Sequence, residues 1–300
     1  MPAARVATVV LNSNRRQDTM ACLESVQRST YKHNAVIVLD NQSTDGSVEA
    51  IRRAFPAARI IELTQNRGYA GNNNVGIRAA LEGGADWILV LNEDTILAAD
   101  CLEHLLRLGE SDPRIGMVGP TVYHHDEPDV IQSAGGSVNR FWEATHCGQN
   151  ETDRGQYAEP RSVGWVTGCG ILVRRAVIEQ VGMLDERLFI YWEETEWCVR
   201  AARAGWIIMH EPRAKLWHKG VTRDYRPQPA FVYYCTRNRF LAMAKHHASV
   251  VAWIVVAAQT LRTMTSWTLK PRWRHMREHR DAMWRGTVDF LRHRWGMYSP

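Results

Sequence analysis

The residues best placed to do chemistry are acids that follow apolar runs. Residues 87–91 read Trp-Ile-Leu-Val-Leu and stop on Asn92-Glu93-Asp94. A buried strand ending on carboxylates brings hard oxygen ligands to a sheet edge. That edge is where open α/β sheets bind their ligands, and its chemistry suits Mg²⁺ or Mn²⁺ with a phosphorylated substrate. A capped strand end with a solvated turn is an equal reading of this triplet alone. A second acid, Asp40, closes the apolar run 36–39 and opens Asn41-Gln42-Ser43-Thr44-Asp45-Gly46-Ser47. Such an acid can accept from a base N–H or a ribose hydroxyl, although the cluster is also a good tight turn into a helix.

Glu193, Glu194 and Glu196 stand among Tyr191, Trp192 and Trp197. Paired carboxyls beside aromatics can have one pKa raised enough to serve as a base. Acids in a first helical turn also simply suit the helix dipole. Asn66-Arg67-Gly68-Tyr69-Ala70-Gly71-Asn72-Asn73-Asn74-Val75-Gly76 puts many amides and glycines at a helix start. Backbone can approach a ligand there. The segment is neither a Rossmann fingerprint nor a P-loop, since the spacing and the Gly-Lys-Ser/Thr ending are missing. His218, after another apolar stretch, is a ligand or a structural imidazole.

The elements that must carry these groups alternate. Residues 6–11, 36–39, 60–63 and 87–91 read as strands; 19–29, 47–55 and 70–81 read as helices between them. Such alternation predicts βαβ units and a mostly parallel sheet. Residues 123–160 are polar and predict a long excursion or a strand pair. Residues 163–174 read as strand, 176–181 and 195–204 as helix, and from Pro229 onward the chain reads as mostly helix.

At 300 residues the chain can bury a substantial core. Six cysteines without a Cys-x-x-Cys pair suggest neither a zinc site nor a disulfide framework, so reduced thiols in a cytosolic protein are the default expectation. The start, Met1-Pro2-Ala3-Ala4-Arg5, carries no secretory pattern, and the apolar run 248–258 is too short to span a bilayer. The net charge of +5 is modest, but residues 270–294 are basic and tryptophan-rich. That asymmetry points to an anionic surface, phospholipid or phosphate-bearing substrate.

In order along residues 5–245, these pieces resemble the inverting, nucleotide-sugar-dependent glycosyltransferases of family 2. The likeness is greatest to the rhamnosyltransferase-like branch that builds bacterial cell-surface polysaccharide. The carrying residues are Asn12-Ser13-Asn14-Arg15, Asp40-Asn41 with Ser43-Thr44-Asp45-Gly46-Ser47, the Asn66 to Gly76 segment, and Asn92-Glu93-Asp94-Thr95. They continue through Gly168-Cys169-Gly170, Leu172-Val173-Arg174-Arg175, Asp185-Glu186, Glu193-Glu194, Gly205-Trp206 and His218.

The resemblance implies an α/β GT-A fold, a mostly parallel central sheet flanked by helices; with the helical reading from Pro229 onward, the expected division is a catalytic domain at 1–228 and a helical C-terminal extension at 229–300. It implies that Asp40 reads the uracil or thymine base with help from Leu11 and Asn12. Glu93 would approach ribose or diphosphate, Asp94 and His218 would hold Mn²⁺ or Mg²⁺, and Glu194 would be the catalytic base. Asn14, Asn66, Gly71, Asn74, Asn92, Gly168, Trp192 and Glu193 complete the expected substrate contacts. Two departures stand out: Asn92 replaces the first acid of the metal motif, and Glu193-Glu194 stands where the family has Glu-Asp, leaving Glu193 and Glu196 as alternative bases.

The expected reaction moves a sugar, rhamnose from dTDP-rhamnose in the favoured reading or a hexose from UDP in the other, to a saccharide or lipid-linked acceptor. The expected location is the cytoplasm, peripheral on the inner face of the membrane. Trp253, Trp267, Trp273, Trp284 and Trp295 alternate with arginines and fit either an anionic membrane surface or packing on the catalytic domain. No nucleic-acid partner is expected. A nucleotidyltransferase would want a glycine-rich basic loop that residues 12–17 lack, and a non-catalytic nucleotide-sugar-binding protein would not need the run of acids.

Overall fold

The computed structural model describes residues 3–220 and 222–298. Met1 and Pro2, which begin the segment read as carrying no secretory pattern, lie outside the described residues. The first half alternates as expected: β1 (Val6–Asn12), α1 (Arg16–Gln27), β2 (Asn34–Asp40), α2 (Ser47–Ala54), β3 (Arg59–Glu62), α3 (Gly68–Glu82) and β4 (Trp87–Asn92). Then come β5 (Thr95–Leu97), α4 (Cys101–Ser111), β6 (Ile115–His124), β7 (Ile131–Ser133), β8 (Gly136–Val138), β9 (Ala144–His146) and β10 (Arg161–Ser162). The chain continues through β11 (Gly170–Arg174), α5 (Arg175–Val181), α6 (Glu193–Arg203), β12 (Ile207–His218), α7 (Pro229–Lys245), α8 (Val250–Leu269) and α9 (Arg277–Leu291).

The strand order is β10-β12-β6-β11-β4-β1-β2-β3, with β5 on β12 and β7 on β6. Strands β4, β1, β2 and β3 pair in parallel, as do β6 and β12, while β11 lies antiparallel between β4 and β6. The sheet is therefore mixed. Strands β6 and β12 escape the sequence reading, because Gly116, Gly119 and Pro120 interrupt β6 and β12 interleaves Glu211, Arg213 and Lys215.

Side chains leave a strand alternately to its two faces, and β1 shows the consequence. Ala7, Val9 and Leu11 join Ile77 and Ala80 of α3, Val177 of α5 and Trp197 of α6 in one core. Val6 and Val10 join Leu23 of α1 with Leu102 and Leu105 of α4 in the other. Burial on both faces explains the unbroken apolar runs, each large aliphatic side chain contributing about 1.5–3 kcal/mol. The turns after β1, β2 and β4 leave the same sheet edge, which places Asn12, Asp40 and Asn92 side by side, Asn12 paired with Asp40 and Leu11 with Asn92.

The C-terminal helices form a third core, in which Phe240 and Met243 of α7 meet Ala252 and Val256 of α8 and Trp142 of the 123–160 excursion. That excursion contains the β8–β9 strand pair.

Candidate active site

The metal corner follows from one strand pairing. β5 begins immediately after Asp94 and pairs antiparallel with the end of β12, setting His218 opposite Thr95. The Lys219 N–H donates to the Asp94 carbonyl at 2.9 Å and locks the turn. His218 Nε2 then lies 3.2 Å from Asp94 Oδ1, with both residues 7% exposed. His218 Nδ1 is 3.0 Å from Gln132 Oε1. With Nδ1–H donating to that amide oxygen, Nε2 is left facing Asp94, and once it carries no proton its lone pair is available to a cation there.

The Nε2–Oδ1 contact lacks hydrogen-bond alignment, so Oδ1 is buried without a partner among the described residues. A cation held by both atoms fits that arrangement better than a direct hydrogen bond. Gly220 adds a second sign, since a Cβ there would collide with Asp94 Oδ2 and come within 3.1 Å of His218 Nε2. Among the described residues no three His, Cys, Asp or Glu side chains form a metal cage. Two protein ligands suit Mg²⁺ or Mn²⁺ that takes its remaining ligands from substrate phosphates and water.

Arg15 donates to Asp94 Oδ2 at 3.0 Å and stands 3.9 Å from Glu93. Burial works to raise the Asp94 pKa, but His218 and Arg15 outweigh it and hold the carboxyl below its usual value. Glu93 goes the other way, pushed up to about 7 by burial and by the neighbouring Asp94 charge.

Glu193 and Glu194 open α6. Trp192, at φ 75°, turns the chain so that α6 starts at Glu193. Glu193 is 5% exposed and Glu194 is partly open to the cavity. Burial raises both carboxyls, and the Glu194 charge raises Glu193 further. Backbone N–H groups of Glu194, Thr195 and Gly168 pull Glu194 partly back. Oε2 of each is buried and without a partner among the described residues. Glu196 is a different group: burial tends to raise it, but His246, Arg200 and Lys245 bring it down to about 2. It is 1% exposed and tied into ion pairs, so it is not a substitute base.

One cavity of about 520 Å³ is lined by Asn92, His218, Gly220, Gly168, Glu193 and Glu194 together. Tyr69 reaches it from α3 and donates to the Gly168 carbonyl at 2.7 Å. Its size suits a sugar ring with room for an acceptor.

The neighbouring sheet edge holds the other expected contacts. Asn12 is fully buried, with Nδ2 donating to Asp40 Oδ1 at 2.6 Å and to the Ser47 hydroxyl at 2.8 Å. Asp40, 4% exposed, also accepts from the Ser43 N–H at 3.0 Å. Asn14 stitches the two loops together, its Oδ1 accepting from the Thr44 N–H at 2.8 Å. Leu11 packs beneath them in the core.

Four further expected contacts lie outside both the cavity and this sheet edge. Asn74 is 2% exposed and clamps Leu184, accepting from its N–H at 3.1 Å and donating to its carbonyl at 2.9 Å. Asn66 Oδ1 accepts from the Gly68 N–H at the start of α3. Gly71 makes room for the Arg67 side chain. Trp192 packs into the third core, and Tyr191 lines the cavity instead. Asn66 and Asn72 accept backbone N–H groups at the α3 start, because a helix start leaves N–H groups that need acceptors. Arg15 and Tyr69 lie in segments the sequence marks but carry no expected role there, and Gly220 and Gln132 join the site with none either; Gln132 carries no local signal at all.

Residues 7–182 match the family model described as glycosyl transferase family 2. The chain is 28% identical over 246 residues to an N-acetylglucosaminyl-diphospho-decaprenol L-rhamnosyltransferase of Mycobacterium tuberculosis, covering 75% of this chain and 80% of that protein. It is 26% identical over 254 residues to the dTDP-rhamnosyl transferase RfbF of Shigella flexneri, covering 81% and 83%. Among solved structures it resembles the mannosyltransferase PcManGT from Pyrobaculum calidifontis in complex with GDP-Man and Mn²⁺. The TM-score there is 0.61 at 17% identity, over 97% of this chain and 88% of that one. GalNAc-T7 with UDP, GalNAc and Mn²⁺ gives 0.62 at 13% identity, over 79% and 47%. The fold is that of the GT-A glycosyltransferases, with C-terminal helices added.

Proposed function

The chain belongs to glycosyl transferase family 2, and from that premise we propose that it transfers rhamnose from dTDP-rhamnose, with inversion, to a lipid-linked saccharide in cell-surface polysaccharide synthesis. The rhamnosyl choice rests on the two rhamnosyltransferase relatives. The mechanism rests on one observation: His218, next to Asp94, and Glu194 border the same cavity.

Asp94 and His218 would hold Mn²⁺ or Mg²⁺, which when bound neutralises charge on the departing nucleoside diphosphate. Asp40 and Asn12 would shape the thymine end of the donor site, with Leu11 and Asn14 fixing the two loops. Glu194 Oε2, unpaired among the described residues, accepts the proton of the acceptor hydroxyl as its oxygen attacks the anomeric carbon. The bond from that carbon to the diphosphate oxygen breaks on the opposite face, and its electron pair leaves with the nucleotide. A raised carboxyl pKa makes Glu194 a better proton acceptor than an ordinary glutamate near neutral pH.

The test is to supply dTDP-rhamnose, Mn²⁺ and a diphospho-lipid-linked N-acetylglucosamine acceptor, and to read the product anomer by NMR. An inverted rhamnoside is expected. Retention of configuration, or turnover only with UDP-hexoses, would reject the proposal.

The C-terminal helices support a site on the cytoplasmic face of an anionic membrane. Among the described residues no helix is long and apolar enough to cross a membrane. Val250, Val251, Ile254, Leu261 and Leu269 of α8 are 63–73% exposed, with Arg262, Lys270 and Arg272 close in sequence. Trp253 packs on Phe240 and Phe290, whereas Trp284 is 59% exposed, so the tryptophans divide between packing and surface. Flotation with vesicles should show binding to phosphatidylglycerol-containing bilayers and none to neutral ones. Equal recovery with both would count against the membrane role.

A further inference from the structure

The loop that presents the two carboxylates is held in backbone conformations that residues with side chains avoid. Phe189 has φ 64° and ψ −63°, Tyr191 has φ 65° and Trp192 has φ 75°. The Ile190 N–H donates to the Leu188 carbonyl at 2.8 Å, closing a tight turn about Phe189. None of the three is glycine, so the loop keeps this path only if its surroundings enforce it.

Two elements do so. The start of α3 packs on one side, where the Ala70 N–H donates to the Phe189 carbonyl at 3.1 Å and a Cβ at Gly68 would strike the Phe189 ring. On the other side α7 presents Arg237 and Asn238, both fully buried. Asn238 Nδ2 donates to the carbonyls of Leu188 at 2.8 Å, Ile190 at 2.9 Å and Tyr191 at 2.7 Å. One amide group thus gathers three carbonyls that a relaxed chain would point apart.

Arg237 orients that amide and extends the grip. Its Nε donates to Asn238 Oδ1 at 3.0 Å, and Nη2 donates to the carbonyls of Leu188 at 3.0 Å and Arg187 at 3.2 Å. Nη1 donates to the Gly296 carbonyl at 2.9 Å and to the Tyr233 hydroxyl at 3.3 Å. The guanidinium also lies 5.2 Å from each of the Tyr233 and Tyr234 ring centres. Tyr233 in turn donates to Asp289 of α9 at 2.8 Å. No carboxylate among the described residues forms an ion pair with Arg237, so its buried charge is balanced by loop carbonyls and aromatic faces.

We propose that Arg237 and Asn238 are positioning residues for catalysis: by holding the carbonyls of Arg187, Leu188, Ile190 and Tyr191 they set the direction in which Glu193 and Glu194 enter the cavity. The inference rests on the reading of Glu194 as the base and makes the C-terminal helices part of the catalytic unit rather than an anchor alone. Arg237 and Asn238 do not line the cavity; they fix the backbone from which the two carboxylates hang. A displacement of about 1 Å in a catalytic group is enough to lower a rate roughly 100-fold.

The experiment compares Asn238→Ala with Glu194→Gln in the full chain, using dTDP-rhamnose, Mn²⁺ and the lipid-linked acceptor. For Asn238→Ala we expect kcat to fall about 100-fold, with donor KM and Mn²⁺-dependent nucleotide affinity unchanged. The acid limb of its pH profile should move to lower pH as the released loop hydrates the carboxylates. Amide hydrogen exchange should quicken across residues 187–196 while the β1–β4 sheet stays protected. If Asn238→Ala does not fold, Arg237→Lys carries the same test, because it keeps the charge beside the tyrosines but cannot span Asn238 and both carbonyls.

Normal kcat in Asn238→Ala alongside an inactive Glu194→Gln would overturn the positioning role and leave the base assignment standing. Retained turnover in Glu194→Gln would remove the base assignment and the inference with it. Parallel loss of kcat and nucleotide affinity, with protection lost throughout the sheet, would reduce Arg237 and Asn238 to general structural residues and reject the proposal.

Discussion

His218 reaches Asp94 because the last residue of β12 sits opposite the first residue of β5. The 3.2 Å approach of Nε2 to Oδ1 is therefore a property of strand register, and a one-residue slip would turn the imidazole to the other face. The expected consequence is that Asp94→Ala and His218→Ala each lose Mn²⁺-dependent affinity for dTDP by at least tenfold while the fold persists. Calorimetry with and without Mn²⁺ measures it, and equal affinities in variant and parent would remove the metal corner.

Gly220 tests the same corner without touching a ligand. A Cβ there meets Asp94 Oδ2 and the His218 ring. Gly220→Ala should weaken Mn²⁺-dependent nucleotide binding by about 10–100-fold, the range seen when groups around metal ligands are disturbed. Its melting temperature should stay near that of the parent, since Gly220 lies at a chain turn after β12 rather than in either core.

Glu194→Gln should lower kcat by about 10²–10⁴-fold, the usual weight of a general base, with nucleotide affinity retained. The parent rate should rise with pH through a group above the ordinary glutamate value, because burial holds the Glu194 carboxyl protonated to higher pH and only the ionised form accepts the proton. A profile flat from pH 5 to 8 would contradict the assignment.

Glu193 gives a stability signature. Its native pKa is raised by burial and by Glu194, so the native state binds a proton that the unfolded chain releases near its ordinary pKa of about 4.3. That linkage contributes nothing below the unfolded value and lowers stability as pH climbs toward the native one. Glu193→Gln should then melt at the parent temperature near pH 4 but several degrees higher at pH 8, with about 1 kcal/mol corresponding to roughly 2–4 °C. A thermal melt at the two pH values decides it, and an equal or lower value at pH 8 would count against the raised carboxyl.

Much of the fold was legible because period and punctuation are local properties of a chain. The unbroken apolar strands at β1, β2 and β4, each ending on a polar residue, announce a parallel sheet buried on both faces with Asn12, Asp40 and Asn92 at one edge. Strands β6 and β12 were not legible. Gly116, Gly119 and Pro120 interrupt the apolar run of β6, and the charged residues of β12 belong to a bulged strand whose pairing partner supplies the missing explanation.

At the site, residue types marked Asn92-Glu93-Asp94, the glutamates at 193, 194 and 196 and His218 as candidates, and only the family resemblance narrowed them to Asp94, His218 and Glu194. Sequence could not tell an amide that meets substrate from one that meets the chain: Asn74 clamps Leu184, and Asn66 receives the Gly68 N–H, although both stand in the same asparagine-rich segment. Nor could it show Gln132 behind His218, or Arg237 and Asn238 behind the loop that carries Glu193. Composition and spacing set which side chains can ionise, donate or ligate. Which of them converge is decided by long-range strand register and helix docking, because those contacts join segments whose separation along the chain leaves no periodic trace.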